Sequence, residues 1–332
     1  MASKKVFIRG IGSYLPERVL TNRDLEAMVD TSDEWIVTRT GIRERHIAAE
    51  DEFTSDMATQ AARRALGDAK MSPQEVDCIL VCSVTFDMAF PATACIVQKN
   101  LEISTCPCMD IEAGCSALVY CMEVAAGLLQ LGSYKNILVI ASDKLTSITD
   151  WQDRSTCVLF GDGASAMVLS TDASGARAVL VDTLLRADGK GGDILFQPGG
   201  GSRHPASEET VKNRLHYLKM NGREVFKIAV RGMGISLKDI LSRNQIELAD
   251  VQHFIPHQAN MRIIEAVAEA SAIPVEKFIV ILHRTGNMSA GSAGVAFDEA
   301  YRQGRFAQND LLMFATFGGG MTFGTALVRW LI

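Results

Sequence analysis

Short apolar runs typical of buried strands alternate with helical stretches along nearly the whole chain, and this alternation limits the fold more than any other feature. Strands are predicted at residues 6–10, 78–84, 137–142, 165–170, 253–256 and 311–317. Helices are predicted between them, at residues 54–69, 116–131, 223–243 and 261–271. Strands that alternate with helices form sheets covered by helices. The sequence therefore predicts an α/β fold with buried sheets.

The size and composition of the chain agree with that fold class. Its 332 residues are 48% hydrophobic and 22% charged, which is ordinary for a globular enzyme with a large core. We expect no apolar run as long as a membrane span, and the N-terminus lacks the apolar stretch of a signal peptide. The eight cysteines lack the paired spacing of zinc or redox sites. We expect a cytoplasmic enzyme with seven core thiols, without metal or cofactor, acting on neither nucleic acid nor membrane.

One segment, Gly161-Asp-Gly163-Ala-Ser-Ala166, fits a loose dinucleotide-binding fingerprint. That fingerprint requires a helix directly after the glycines. Residues 164–170 are instead typical of a strand, so we interpret the glycines as a turn between strands at 157–160 and 164–170.

A candidate nucleophile, Cys115, lies where a strand-like run gives way to a helix. Unpaired N–H groups and the helix dipole at such a position favour the thiolate form of cysteine. Gly114 beside it permits a tight turn and the close approach of a substrate. Most free cysteines are buried and inert, so the position alone does not establish a nucleophile.

Two later junctions carry residues that would complete a catalytic set. His257 follows the strand predicted at 253–256, and Asn287 follows Gly286 in a small-residue turn before another helix. Taken singly, a histidine is more often structural and an asparagine beside glycine is more often a turn former. Cys, His and Asn at three junctions far apart in sequence together predict a nucleophile with oxyanion donors.

Motifs spread over nearly the whole chain carry a resemblance to a known family. They are Gly12-Ser-Tyr-Leu-Pro-Glu, Thr31-Ser-Asp-Glu-Trp-Ile-Val-Thr-Arg-Thr-Gly-Ile-Arg-Glu-Arg, Phe160-Gly-Asp-Gly-Ala, Pro256-His-Gln-Ala-Asn, Gly286-Asn-Met-Ser and Phe317-Gly-Gly-Gly-Met-Thr-Phe-Gly-Thr-Ala-Leu-Val-Arg. With these motifs in the order that the family has them, the chain resembles bacterial β-ketoacyl-acyl-carrier-protein synthase III, of the thiolase-like condensing enzymes. The resemblance implies a five-layered αβαβα architecture of two pseudo-repeated halves, residues 1–174 with Cys115 and residues 175–332 with His257 and Asn287.

The resemblance also implies a reaction, the decarboxylating Claisen condensation that initiates type II fatty acid synthesis. Cys115 would accept the acyl group of a short acyl-CoA, with acetyl-CoA as the expected primer. Malonyl-acyl carrier protein would then lose CO2 and give 3-oxoacyl-acyl carrier protein. His257 and Asn287 would stabilise the enolate oxygen, and the N–H groups of Cys115 and Gly319 would stabilise the oxyanion of the thioester.

Three binding surfaces follow from the same resemblance. The positions expected to bind CoA are Thr31, Trp35, Arg39, Arg154, Gly222, Ala259 and Asn260. The primer pocket is expected to contain Phe90, Leu145, Phe160 and Phe317, with Phe90 supplied by the partner in a symmetric homodimer. Arg223, Lys227 and Arg231 share one stripe of a predicted helix and, with Arg262, are expected to dock the acidic carrier protein. Without the resemblance, three aligned charged residues would be interpreted as the ordinary solvent-exposed face of a helix.

Two departures leave the primer preference open, because the family has Gly and an aromatic residue where this chain has Ala117 and Leu118. The main alternative is a related condensing enzyme of secondary metabolism or of long-chain acyl condensation. A hydroxymethylglutaryl-CoA synthase is less favoured, since its catalytic Glu has no obvious counterpart. A catalytically silent acyl-binding subunit is a third alternative, and the intact Cys115, His257 and Asn287 argue against it.

Overall fold

The computed structural model describes residues 4–332 as an alternation of thirteen strands and ten α-helices. In chain order they are β1 (Val6–Tyr14), β2 (Arg18–Thr21), α1 (Asn22–Glu26), α2 (Asp33–Thr40), β3 (Glu44–Ile47), α3 (Thr54–Ala69), β4 (Cys78–Cys82), α4 (Thr93–Asn100), β5 (Cys108–Ile111), α5 (Ala117–Leu131), β6 (Asn136–Lys144), β7 (Asp162–Ser170), β8 (Ala178–Ala187), β9 (Leu195–Phe196), α6 (Glu208–Lys212), β10 (Lys219–Met220), α7 (Gly222–Asn244), β11 (His253–Pro256), α8 (Met261–Ala270), α9 (Leu282–Thr285), α10 (Gly291–Arg302), β12 (Leu311–Gly318) and β13 (Thr322–Trp330). The predicted α/β class is confirmed.

Nine of these strands form one continuous sheet, in the order β11-β12-β13-β8-β1-β7-β6-β4-β5. The antiparallel neighbours β1 and β8 lie at its centre. On one side, β4 and β6 are parallel and β7 runs antiparallel to both β6 and β1. On the other side, β11 and β12 are parallel and β13 runs antiparallel to both β12 and β8. The strand pattern therefore repeats in two halves about the β1–β8 pair.

Three layers of helices cover and separate the two halves of the sheet. Helices α3 and α4 share one buried apolar cluster with β4, β6 and β7, and α7 and α8 share another with β11, β12 and β13. Helices α5 and α10 share the largest cluster with strands of both halves, so they form the middle layer. The strand β4 shows the alternation directly, since Ile79 faces the α3 side and Leu80 faces the middle layer. The expected five-layered αβαβα architecture is confirmed.

Glycines in β1 allow the alanine-rich helix α3 to approach the sheet at backbone distance. A Cβ on Gly10 would lie 2.2 Å from the carbonyl oxygen of Ala65, and one on Gly12 would lie 2.4 Å from its amide nitrogen. Any larger residue at either position would separate the layers.

The predicted strands and helices are found in their expected places, with bounds that differ by a few residues. Residues 157–160, however, form turns that end in an isolated bridge between Phe160 and Asn287, so the strand predicted there is wrong. The strand β7 begins at Asp162 and contains Gly163, so only Gly161 lies in the predicted turn. No helix follows these glycines, which excludes the dinucleotide fingerprint. The strand-like run expected before Cys115 is β5. The strands that lie outside the predicted ones are β2, β3, β8, β9, β10 and β13. The half boundary at 174/175 falls between β7 and β8 and stays a prediction.

The segment Gly114–Leu131, which contains α5, corrects one expectation. It is long and apolar enough to cross a membrane by length and composition, with a mean hydropathy of 1.4. Half of the segment is buried within the protein, where α5 contacts strands of both halves. Its apolar character is explained by this place in the middle layer, where a helix is covered by a sheet on either side.

The cysteines also differ from expectation. All eight are free, but besides Cys115 only four are buried, whereas Cys106 and Cys108 are half-buried and Cys95 is exposed. Three of the seven predicted core thiols therefore lie outside the core, because α4 and the edge strand β5 are only partly covered.

Candidate active site

The three predicted catalytic residues line one cavity of about 1040 Å³. Cys115 lies in a 3-10 turn, Gly114–Ser116, that leads directly into α5. His257 follows β11, and Asn287 precedes α10, so the middle-layer helices and the second half of the sheet bring them together. The predicted grouping of Cys115, His257 and Asn287 around one space is therefore observed.

The turn at Cys115 is packed against the glycine loop that follows β12. Gly114 has a φ of +57°, and a Cβ there would lie 2.8 Å from the amide nitrogen of Gly319. A Cβ on Gly318 would lie 2.4 Å from the amide nitrogen of Cys115. Neither the Cys115 nor the Gly319 N–H donates to any group within residues 4–332. Two unpaired N–H donors in touching backbone segments are the elements of an oxyanion hole.

The ionisation of Cys115 is opposite to the one expected from its position. Burial raises the pKa of the Cys115 thiol to about 12, an effect that the nearby Ser289 hydroxyl partly offsets and the Asp143 carboxylate adds to. The N-terminus of α5 favours the thiolate, but the loss of water around the sulfur outweighs it. The expectation that this position favours the thiolate is therefore wrong, because burial favours the thiol.

His257 is a neutral imidazole. Its ring is buried and stacks edge-on against Phe317 at 5.3 Å, and its backbone N–H donates to Ala315. Burial lowers the pKa of His257 to about 3. Its Nδ1 is buried and has no partner within residues 4–332, which leaves Nε2 as the ring nitrogen open to the cavity. A neutral ring of this kind can donate one N–H without releasing a proton.

The orientation of the Asn287 side chain follows from its own hydrogen bonds. Its Oδ1 accepts the N–H of Ser289 at 2.9 Å, which directs the amide NH2 group elsewhere. The backbone of Asn287 is held by Leu159 and Gly161, through N···O distances of 2.8 and 3.0 Å. Asn287 therefore presents hydrogen-bond donors to the cavity from a rigid backbone.

Two buried polar residues beside the site were not found by sequence reasoning. Oδ1 of Asp143 accepts four hydrogen bonds from the 83–85 turn, while its Oδ2 has no partner within the described chain. Ser289 has a buried hydroxyl at the cavity wall, close to the Cys115 thiol and the Asp143 carboxyl, and a φ of +51°. In the sequence, the available signal was Asp143 itself, an acidic residue near the end of an otherwise apolar strand. A carboxylate buried at such a place needs hydrogen-bond donors around it.

Four of the seven predicted CoA positions line the cavity, namely Arg39, Gly222, Ala259 and Asn260. Asn260 also caps α8, accepting the N–H of Arg262 at 2.9 Å. The other three are not among its lining residues. Thr31 has a buried hydroxyl without a partner in the described part of the chain.

Trp35 and Arg154 do come together, with the Arg154 guanidinium 5.2 Å from the centre of the Trp35 ring. Arg154 also donates to the Asp30 carbonyl at 2.6 Å. An adenine that enters between the ring and the guanidinium must displace Arg154 from this position, because the two groups are already in contact.

Of the four positions predicted for the primer pocket, Leu145, Phe160 and Phe317 line the cavity, whereas Phe90 does not. Phe90 is 83% exposed on its own chain. Phe86 is an additional aromatic wall residue that the sequence did not reveal.

The unusual residues Ala117 and Leu118 are fully buried. Neither is among the lining residues of the cavity. These two residues, which differ from the family pattern, therefore pack within the core around α5 and do not reach the cavity.

Three of the four proposed docking cations, Arg223, Lys227 and Arg262, lie at the cavity wall, and their side chains are exposed. Arg231 is exposed farther along α7 and does not line the cavity. Lys227 forms an ion pair of 2.7 Å with Glu224, so part of its charge is already neutralised.

Comparison with known proteins gives consistent relatives. Residues 109–189 match the family model described as 3-Oxoacyl-[acyl-carrier-protein (ACP)] synthase III, and residues 241–330 match the model of its C-terminal part. The chain is 49% identical to beta-ketoacyl-[acyl-carrier-protein] synthase III of Desulfitobacterium hafniense, over 98% of both chains, and 48% identical to that of Caldanaerobacter subterraneus, over 97% of both. The crystal structure of the Aquifex aeolicus 3-oxoacyl-[acyl-carrier-protein] synthase III superposes with a TM-score of 0.89 at 43% identity, covering 98% of this chain and all of the other.

Proposed function

The chain belongs to the 3-oxoacyl-[acyl-carrier-protein] synthase III family of condensing acyltransferases, and from that premise we propose that it joins an acetyl group from acetyl-CoA to malonyl-acyl carrier protein. The observation that carries this proposal is the single cavity that holds a cysteine, two neutral side-chain donors and two free backbone N–H groups. The proposed products are 3-oxoacyl-acyl carrier protein, CoA and CO2.

In the first half-reaction, the sulfur of Cys115 attacks the thioester carbonyl of acetyl-CoA. The S–C bond to coenzyme A breaks, and the thiol proton ends on the departing CoA sulfur. The carbonyl oxygen becomes an oxyanion, and the N–H groups of Cys115 and Gly319 are suited to stabilise it. Because burial raises the pKa of Cys115 to about 12, the thiolate that attacks is a minor fraction of the protein at neutral pH.

In the second half-reaction, malonyl-acyl carrier protein loses CO2, and the electron pair forms an enolate on the thioester. His257 and Asn287 are suited to hold this oxygen because both are neutral donors. An enolate carbon then attacks the acetyl-Cys115 carbonyl, and the released thiolate takes up one proton. Neutral donors stabilise the enolate without quenching it by proton transfer.

The walls of the cavity support an acyl primer. Phe86, Leu145 and Phe160 line the cavity that holds Cys115, and their apolar surface suits an acyl chain such as acetyl. The CoA portion would extend past Arg39 to the Trp35 and Arg154 pair, which offers a ring and a guanidinium for the adenine.

Carrier-protein docking is proposed at the mouth of the cavity. The chain has a net charge of −6, so its overall field repels an acidic partner. Arg223, Lys227 and Arg262 supply local positive charge at the place where the carrier's thioester arm would enter. Arg231 would act farther out on the same helix face.

A symmetric homodimer is the proposed active unit, in the cytoplasm. Phe90 is 83% exposed and Met88 beside it 49% exposed, so the loop presents apolar surface that a second copy would cover. β5 is an edge strand of the sheet, half-exposed along its length. The eight free cysteines fit a reducing compartment.

Intact-protein mass spectrometry after incubation with a panel of acyl-CoAs tests the proposal. We expect a gain of one acetyl group that is lost in Cys115→Ser, and CO2 release when malonyl-acyl carrier protein is added. Labelling by long acyl chains only would instead favour a long-chain or secondary-metabolism enzyme. Stoichiometric labelling without turnover would favour an acyl-binding subunit.

A further inference from the structure

A hydroxyl from the last strand joins the two backbone segments of the oxyanion hole. Thr322 Oγ1 lies 2.7 Å from the carbonyl oxygen of Ala113 and 3.2 Å from that of Gly319. It also lies 2.7 Å from Oγ of Ser116, which is fully buried. Thr322 therefore contacts residues on both sides of Cys115 and the loop that carries the second N–H.

The direction of these hydrogen bonds follows from the number of protons. Each hydroxyl has one hydrogen to donate. Thr322 donates to Ala113, which is closer to it than Gly319 is. Ser116 donates to Thr322 at 2.7 Å, a shorter distance than the 2.9 Å to the Ala113 carbonyl oxygen. The resulting chain, Ser116 to Thr322 to the Ala113 carbonyl, crosses between the nucleophile turn and β13.

The residues in closest contact between the two segments are glycines, which cannot hold the contact through side chains of their own. Gly114, Gly318 and Gly319 have no side chains, and a Cβ on either Gly114 or Gly318 would collide with the opposite backbone. Glycine segments are also the most flexible parts of a chain. The relative position of the two N–H groups therefore has to be set by a neighbour. Thr322 follows the glycine loop directly in the chain, and its hydroxyl bonds the Cys115 turn, so it is the neighbour that ties one segment to the other.

We propose that Thr322 is a positioning residue that holds the N–H groups of Cys115 and Gly319 at the separation needed to bind one oxyanion. This inference rests on the proposed function, since it concerns the acylation of Cys115 by acetyl-CoA. Thr322 itself does not line the cavity and touches no reacting atom. The enolate donors His257 and Asn287 are held by other contacts, through Ala315, Leu159 and Ser289, so their geometry is independent of Thr322.

The experiment compares Thr322→Val, which keeps the shape and removes the hydroxyl, with Thr322→Ser, which restores it. Single-turnover acylation by acetyl-CoA, the acetyl-CoA concentration at half-maximal rate, and CO2 release from malonyl-acyl carrier protein without primer are measured for each. We expect Thr322→Val to slow acylation about 10- to 100-fold, at unchanged half-maximal concentration and unchanged CO2 release. Thr322→Ser should stay within about threefold of the unaltered protein.

Thr316→Val is the matched control, because it removes a buried hydroxyl that bonds Gly324 at 2.9 Å in the same pair of strands without touching the Cys115 turn. It should lower the melting temperature and leave acylation unchanged. Ser116→Ala, with an expected loss of about 3- to 10-fold, replaces Thr322→Val if that variant does not fold. Normal acylation in the hydroxyl-lacking variants, or equal losses of acylation and CO2 release, would overturn the proposal. Absence of acylation in the unaltered protein would instead refute the proposed function.

Discussion

Gly318→Ala is the substitution for which the structure gives the sharpest expectation. A Cβ at this position would lie 2.4 Å from the Cys115 amide nitrogen and 3.0 Å from both the Gly114 carbonyl carbon and the Ser116 amide nitrogen. To increase the distance between this Cβ and the Cys115 amide nitrogen from 2.4 Å to even 3.0 Å, the two backbones must separate by about 0.6 Å. All three neighbours are backbone atoms, so no flexible side chain can absorb the displacement.

The expected cost has two parts. Overpacking of a closely packed site destabilises a protein by about 1–3 kcal/mol, which a chemical denaturation midpoint would detect. A shift approaching 1 Å in a catalytic group costs about 100-fold in rate. We therefore expect Cys115 acylation to fall by about 10- to 100-fold in Gly318→Ala, beyond any loss explained by unfolded protein.

Gly67→Ala is the matched control. Gly67 lies inside α3, and a Cβ there would meet nothing within 4 Å. Replacing a helical glycine by alanine should stabilise the protein by about 0.5–1 kcal/mol and leave acylation unchanged. If Gly318→Ala acylated at the normal rate with a normal midpoint, the close approach of the two segments, and with it the oxyanion geometry, would be wrong.

Three further predictions concern pH and charge. The rate of acylation by acetyl-CoA should rise steadily from about pH 6 to about pH 9, because only the thiolate attacks and burial holds the pKa of Cys115 near 12. A rate that levels off at neutral pH would contradict this. The pH profile of the rate of CO2 release should show no inflection near pH 6.5, the usual pKa of histidine. The reason is that the pKa of His257 is lowered to about 3, so the ring stays neutral. An inflection near pH 6.5 that disappears in His257→Ala would refute this. Arg262→Glu should weaken the use of malonyl-acyl carrier protein, most strongly at low salt, and leave acylation by acetyl-CoA nearly unchanged. Steady-state kinetics of both half-reactions measure these effects. Equal losses in the two half-reactions would contradict docking at Arg262.

The sequence was sufficient to single out Cys115, His257 and Asn287. The first two lie where the apolar pattern changes from strand to helix, and Asn287 lies in a small-residue turn before a helix. Such junctions are exposed at the ends of strands, where sites in α/β proteins collect. The family resemblance then supplied the five layers, which periodicity cannot show. The strands β8 and β13 were not predicted, since β8 is only partly covered and β13 directly follows the glycine loop.

The remaining features depend on contacts between distant parts of the chain. The pKa of Cys115 is set by burial in a cavity whose walls come from both halves, so the helix N-terminus alone predicted the wrong sign. The approach of Gly318 to Cys115 and the bond from Thr322 to Ala113 join residues far apart in sequence. No local pattern encodes such distances.

The strand β13 also determines when a newly made chain can become active. It is inserted between β12 and β8 and pairs with both along nearly its whole length. During synthesis, folding proceeds from the N-terminal side. A nascent chain that already contains Cys115 therefore has a gap in its sheet, and it lacks a fixed Gly319 N–H. Without that N–H, the proposed oxyanion hole has one donor instead of two. We therefore expect Cys115 of an incomplete chain to stay unacylated until β13 is made and paired with β12 and β8.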